Sequence, residues 1–379
     1  MKTATRRLLL TTPALIGAAA LSLSGCAKPP APAGQSSSSA APSSGTSASG
    51  ASSDFKACMV SDTAGFNDKS FNQTSLKGLT DAASAYGIQT DKIQSSSASD
   101  YAKNLSSMVS AGCNMVVSVG FLLADDTLAA AKANPKVKFA IVDDNDPKFA
   151  GTKNLKPLVF NTAQSSFLGG YLAAAMTKTG KVGTFGGAKI PTVTIYMDGF
   201  AQGVEYYNKT KGKNVQVLGW DSAKQDGQFV PGDNPFENTS GGQQTAQALT
   251  SQGADVIFPV AGGAGVGALQ VAKASGGKVN AIWVDADGCQ TQPNYCSSII
   301  TSVFKGMDVS VKDAIGDALQ NKFTSTAFVG TLQNGGTGLT GFHDFDSKVP
   351  GDVKTELDQL KSDIESGKIT ITSKSQPSS

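Results

Sequence analysis

A chain of 379 residues exceeds the roughly 250–300 at which a single hydrophobic core stops growing, so two domains are expected. Hydrophobic residues make up 40% and charged residues 16%, with 42 glycines, which excludes a coiled coil and a highly charged disordered chain. The formal charge of +2 becomes −1 once Lys2, Arg6 and Arg7 at the N-terminus are set aside, so no nucleic-acid partner is expected. Arg6 and Arg7 are the only arginines. The rest of the chain therefore lacks the bidentate guanidinium clamp on carboxylate or phosphate, which points to an uncharged ligand.

Residues 1–26 read as a lipoprotein signal peptide: Lys2, Arg6 and Arg7, an apolar run from Leu8 to Leu23, then Leu23-Ser24-Gly25-Cys26. That ending resembles a bacterial lipobox, in which Cys26 becomes the lipid-modified first residue. Arg6-Arg7 after Thr5 leaves the Sec and twin-arginine export routes both open. Residues 27–53, nearly all Ser, Ala, Pro and Gly with Lys28 the only charge, predict a disordered tether reaching ~30 Å. No later apolar run approaches the ~20 residues of a membrane helix. The expectation is a folded body from about Asp54, lipid-anchored at the extracytoplasmic face of the cell membrane.

Four cysteines remain in that body: Cys58, Cys113, Cys289 and Cys296. Outside the cytoplasm an even count favours disulfides. Cys289 with Cys296 would close a short loop, and Cys58 with Cys113 is open to pairing because their segments read as neighbouring strands. Zinc competes for such residues, but His343 is the sole histidine and there is no C-x-x-C, so no metal is expected.

Ala57-Cys58-Met59-Val60 predicts a strand, after which Phe71, Ser75, Leu79, Ala82, Ala83 and Tyr86 keep helical spacing. A strand at 113–119, a helix near 124–133 and a strand at 138–142 follow. Strands alternating with helices imply parallel sheets with helices on both faces. The pattern then recurs. Ser110–Val117, Ala131-Lys132 and Phe139–Asp143 return as Ser251–Phe258, Ala272-Lys273 and Ala281–Asp285, at an offset of 141 to 142. A weaker echo pairs Lys56–Gly78 with Lys181–Gly203 and sets Phe71 opposite Tyr196. Two similar α/β lobes would face each other across a cleft at the carboxyl ends of their strands, with Asp143 and Asp285 pointing into it.

The loop from Ser61 to Asn72 joins the first strand to the first helix, where Asp68 or Ser70 can cap the helix and Phe71 sits in its first turn. Asn67-Asp68-Lys69-Ser70-Phe71-Asn72-Gln73 resembles the D-K-S-F-N signature of the basic membrane protein family, whose better-understood members are purine nucleoside receptor lipoproteins of ABC importers. Further matches are Lys138–Asp143, Asp198-Gly199-Phe200 with Gly203, Gly253–Gly263 and Thr301–Lys305, in family order. The resemblance implies that Phe71 stacks on the base and that Asn72 hydrogen-bonds. It further implies that Phe236, in Pro235-Phe236-Glu237-Asn238, supplies the second ring, with Tyr196, Trp220 or Phe229 as alternatives. By the same resemblance Asp143 meets the base edge, Asp285 and Lys305 hold the ribose hydroxyls, and the Gly262-Gly263 backbone lies near the ligand. A nucleoside offers a flat ring and a neutral diol, which aromatic faces and carboxylates answer.

The implied architecture is an α/β, two-lobed, type I periplasmic-binding-protein fold with a hinge of three crossovers. The first lobe is expected to take 54–160 plus 290–325, and the second 161–289 plus 326–372. The function implied is a monomeric, non-enzymatic substrate-binding protein without cofactor, handing a nucleoside to an ABC permease and its ATPase. A sugar or signal-molecule receptor of the same fold is the alternative. A dinucleotide-dependent oxidoreductase is a third reading, since Gly263-Ala264-Gly265-Val266-Gly267-Ala268 follows a predicted strand and Asp285 comes 22 residues after Gly263.

Overall fold

The structure, a computed structural model, describes residues 54–377; the signal peptide, Cys26 and the tether expected above lie outside them. The chain first runs through β1 (Lys56–Ser61), α1 (Phe71–Tyr86), β2 (Gln89–Gln94), α2 (Tyr101–Ser110), β3 (Met115–Val119), α3 (Ala124–Ala133), β4 (Lys138–Val142) and β5 (Leu155–Phe160). It then crosses into α4 (Thr162–Met176), β6 (Lys181–Gly186), α5 (Pro191–Lys211), β7 (Gln216–Leu218) and a small hairpin of β8 (Trp220–Asp221) and β9 (Asp226–Gly227). The same half continues with α6 (Thr239–Ser251), β10 (Val256–Val260), α7 (Val266–Ala274), β11 (Asn280–Asp285), α8 (Gly288–Thr291) and β12 (Ile299–Lys305). α9 (Met307–Leu319) and β13 (Phe328–Gly330) return to the first half, before β14 (Thr337–Leu339) and α10 (Gly351–Glu365) complete the second.

Two six-stranded sheets result, in the orders β13-β5-β4-β3-β1-β2 and β14-β12-β11-β10-β6-β7. The orders superimpose strand for strand, and the sequence offset of 141 to 142 maps β3 and β4 onto β10 and β11. Both sheets are parallel except where β14 pairs antiparallel with β12. Strands such as Met-Val-Val-Ser-Val in β3 are buried throughout because helices cover both faces, so they read as continuous apolar runs without alternation. Each sheet reverses its strand order beside the first strand of its half, which is the switch point where ligands of such folds sit.

The lobe boundaries need correction in two places. Residues 290–305 were expected in the first lobe, yet β12 pairs in parallel with β11 and belongs to the second sheet. Residues 326–330 were expected in the second lobe, yet β13 pairs with β5 in the first. A buried strand needs partners for its ladder, and the open edge of β11 lies nearest when β12 emerges from its short connection. The second crossover therefore falls after Lys305, at Gly306, where α9 departs to pack on α1.

Small residues set the closest approaches. A Cβ at Gly203 would stand 2.0 Å from the Phe167 carbonyl oxygen, and one at Gly170 the same distance from that of Phe200, so α4 and α5 touch backbone to backbone. Asp198 of the Asp198-Gly199-Phe200 motif accepts from Trp220 Nε1 at 2.9 Å, Gln225 Nε2 at 2.8 Å, and Ser222 Oγ and Ser373 Oγ at 2.6 Å. It thereby ties the β8–β9 hairpin and the C-terminal segment to α5. Disulfides join Cys58 to Cys113, across β1 and the turn before β3, and Cys289 to Cys296.

Candidate functional site

The first lobe contributes the loop after β1. Asp68 caps α1: its Oδ1 accepts from the amides of Ser70 and Gln73, each at 3.0 Å, and its Oδ2 from that of Asn72 at 2.8 Å. Burial raises its pKa to about 6, with those three bonds working against the rise. Asp62, which the sequence pattern does not single out, accepts from Asn72 Nδ2 at 2.7 Å and from the Ala64 amide at 3.0 Å. Burial lifts its carboxyl to about 7 despite those donors. Asn72 Oδ1 is buried and without a partner, an acceptor left to whatever enters the cleft.

The carboxylates that end β4 and β11 do meet. Asp143 and Asp285 both adopt a left-handed backbone, φ 70° and φ 66°, at positions 142 residues apart in the repeat. Such a conformation costs on the order of 1–3 kcal/mol for a non-glycine residue and recurs at functional sites. Lys305, at the end of β12, donates to Asp143 Oδ2 and stands 3.6 Å from Asp285 Oδ1. Burial works to lower the Lys305 ammonium, but the two carboxylates hold it above its ordinary value, so it stays charged. Tyr196 donates its hydroxyl to Asp285 Oδ1 at 2.9 Å. Burial, then the neighbouring carboxylates, keep that phenol protonated as a donor. The Lys305 ammonium lies 5.0 Å from the ring centroid of Phe71 and 5.2 Å from that of Tyr196, the two residues that the weaker repeat sets opposite each other.

These groups surround one cleft between the two lobes. Asp68, Phe71, Asn72, Asp143, Tyr196, Phe236, Gly262, Asp285 and Lys305 all line it. Gly263 does not; a Cβ there would stand 3.2 Å from the Phe236 carbonyl oxygen and 3.6 Å from that of Asp68, so it lets the two lobes approach. Phe236 is held by Gly187 beneath its ring and by the Ala264 amide, which donates to its carbonyl at 2.8 Å. Trp220 and Phe229 pack on each other away from the cleft, while Tyr196 lines it with its hydroxyl committed to Asp285. Phe121 and Leu122 line the cleft unforeseen. The repeat carried the signal, because Gly120, φ 112°, and Gly262, φ 52°, are 142 residues apart and both open the turn after a strand.

The glycines of the dinucleotide-like motif meet protein atoms. A Cβ at Gly265 would lie 3.2 Å from the Trp283 ring and one at Gly267 would lie 2.2 Å from the Gln243 amide, so both serve packing of the segment around α7. Among the described residues Asp287, Cys289 and His343 gather ligand-type atoms, but Cys289 is disulfide-bonded and His343 is paired with Asp287 at 2.9 Å.

Residues 55–375 match the profile of the Bmp family, described as PnrA-like ABC transporter substrate-binding proteins. The chain belongs to this family. It is an extracytoplasmic substrate-binding protein of an ABC transporter, which implies a ligand and permease and ATPase partners. The chain is 31% identical over 340 residues to the ABC transporter nucleoside-binding protein BmpA of Lactococcus lactis subsp. cremoris, covering 85% of this chain and 90% of that one. It is 32% identical to the CD4+ T-cell-stimulating antigen of Listeria monocytogenes, over 85% of this chain and 89% of that one. Among solved structures, a solute-binding protein of an ABC transporter system from Aeropyrum pernix K1 superimposes with a TM-score of 0.74 at 23% identity, over 86% of this chain and 94% of that one. That likeness establishes the type I periplasmic-binding-protein fold. No helix among the described residues is long and apolar enough to cross a membrane.

Proposed function

We propose that this substrate-binding protein is a lipid-anchored, monomeric receptor that captures a nucleoside, a purine nucleoside above all, and presents it to its ABC permease. The supporting observation is the composition of the cleft: Phe71 from one lobe and Phe236 from the other line the same space as the Asp143–Lys305–Asp285 cluster. The name of the Lactococcus relative supports the same ligand class.

In this reading the base stacks on Phe71 and Phe236, each contributing roughly 1–3 kcal/mol. Asn72, Asp62 and Asp143 meet the base edge, with the free Asn72 Oδ1 accepting from a ligand N–H. The ribose diol donates to Asp285, and the Lys305 ammonium donates to a hydroxyl oxygen. The Gly262 backbone leaves room beside Phe236. With no arginine beyond Arg7, nothing forks onto a phosphate, so nucleosides are favoured over nucleotides. Cys26 carries the lipid, and the tether gives the body its reach from the membrane.

A thermal-shift screen with nucleosides, free bases, nucleotides, sugars and amino acids tests this. The true ligand raises the melting temperature in step with RT ln(1 + [L]/Kd). Nucleosides are expected to act and sugars to be silent; a response to pentoses or hexoses alone replaces the nucleoside reading with that of a sugar receptor.

A further inference from the structure

Ser70 holds the N-cap position of α1, where a serine ordinarily accepts from the free N–H groups of its own helix. It makes no such bond, because Asp68 takes three of the amides there. The Ser70 hydroxyl, fully buried, turns across the cleft, 3.2 Å from the Val284 carbonyl oxygen and 3.1 Å from Asp285 Oδ2. Both acceptors belong to β11 of the opposite lobe. A single hydroxyl proton serves one acceptor at a time, and the anionic carboxylate is the stronger of the two.

The other Asp285 oxygen is held differently. Tyr196 donates to Oδ1 at 2.9 Å and Lys305 stands 3.6 Å from it, both on elements of the lobe that carries Asp285. Those two partners travel with the carboxylate whatever the lobes do. Ser70 does not, and its bond exists only when the lobes have met. In an open arrangement Oδ2 turns to water and the carboxylate loses one of the bonds that fix its plane.

We propose that Ser70 is a closure-dependent positioning residue, whose hydroxyl completes the orientation of Asp285 only in the closed form and so joins lobe closure to recognition of a vicinal diol. The inference rests on the proposed role of Asp285 toward the ribose. It explains why a serine stands at the head of α1 with its capping work done by Asp68, two residues earlier.

The test uses the full chain with fluorescent dyes at positions 103 and 209, exposed sites on α2 and α5, together with stopped-flow binding of a ribonucleoside and its 2′,3′-dideoxy analogue. Ser70→Ala is expected to lower the closed fraction without ligand and to speed riboside release about tenfold, as befits a bond to a charged group. Release of the dideoxy analogue should speed only by the share that weaker closure contributes, and so by less than that of the riboside, because it does not engage Asp285. Tyr196→Phe, which acts within one lobe, should weaken the riboside while leaving the ligand-free closed fraction as in wild type. A Ser70→Ala protein that closes as often as wild type overturns the proposal, and so do equal losses for riboside and dideoxy analogue. If wild type takes no nucleoside, the nucleoside reading fails, and the Ser70 contact stands or falls on the ligand-free closed fraction alone.

Discussion

Asp68, Ser70, Phe71 and Asn72 lie within a single turn of chain, yet their side chains do four different things. Asp68 caps the helix, Ser70 reaches across the cleft, Phe71 presents a ring, and Asn72 bonds to Asp62. That division explains why Asp62 matters although it lies outside the motif. Its carboxyl titrates near 7 in the fold against 3.8 as an ordinary aspartate, so the fold prefers the neutral form. The stability this lends is fully present below about pH 4 and is lost as pH rises through about 7. Ligand-free protein should therefore weaken across that window, and Asp62→Asn should remove up to ~4 kcal/mol of the slope. Urea unfolding at a series of pH values measures it; a slope identical to that of wild type would show that Asp62 is already ionised at pH 5.

Among the elements, covalent ties and glycine contacts have separate roles. The Cys58–Cys113 bridge spans 55 residues, and the Cys289–Cys296 bridge spans 7. On loop-closure entropy the first restrains the unfolded chain by about 4 kcal/mol and the second by about 2. Replacing Cys58 and Cys113 together by alanine should accordingly cost about twice as much as replacing Cys289 and Cys296. Denaturant midpoints of the two variants decide it, and the reverse ranking would mean that the small loop near Asp285 does more than close on itself. The Asp198-Gly199-Phe200 motif belongs to this scale too. It reads in sequence as a family mark, and in the fold Asp198 is spent on the β8–β9 hairpin and Gly199 on the approach of α4 to α5.

For the whole molecule, the Lys305 ammonium is the charge that lets two buried carboxylates from opposite lobes share one space. Without it Asp143 and Asp285 would face each other across the cleft uncompensated, which burial makes costly. Lys305→Met should open the ligand-free protein, seen as a larger radius of gyration in solution scattering and as faster digestion of the cleft loops. An unchanged radius would show that backbone contacts such as that at Gly263, and not charge, keep the lobes together. Lys305 also ends β12 immediately before the crossover at Gly306, so a change in its pairing is felt at the hinge itself.

The duplicated pattern, with Asp143 and Asp285 ending corresponding strands, was legible in the sequence because burial on both faces writes parallel strands as apolar runs, and because a motif shared by two halves repeats at a constant offset. Phe71 and Asp285 sit at helix and strand ends that local pattern locates, whereas Asn72 and Lys305 were legible only through the resemblance to the family. What pattern cannot carry is which edge a strand joins, and so the allotment of β12 and β13 to their sheets came only from tertiary pairing. Nor can it say where a hydroxyl points. Ser70 and Asp285 lie 215 residues apart, and only the meeting of two folded lobes brings their atoms within a hydrogen bond.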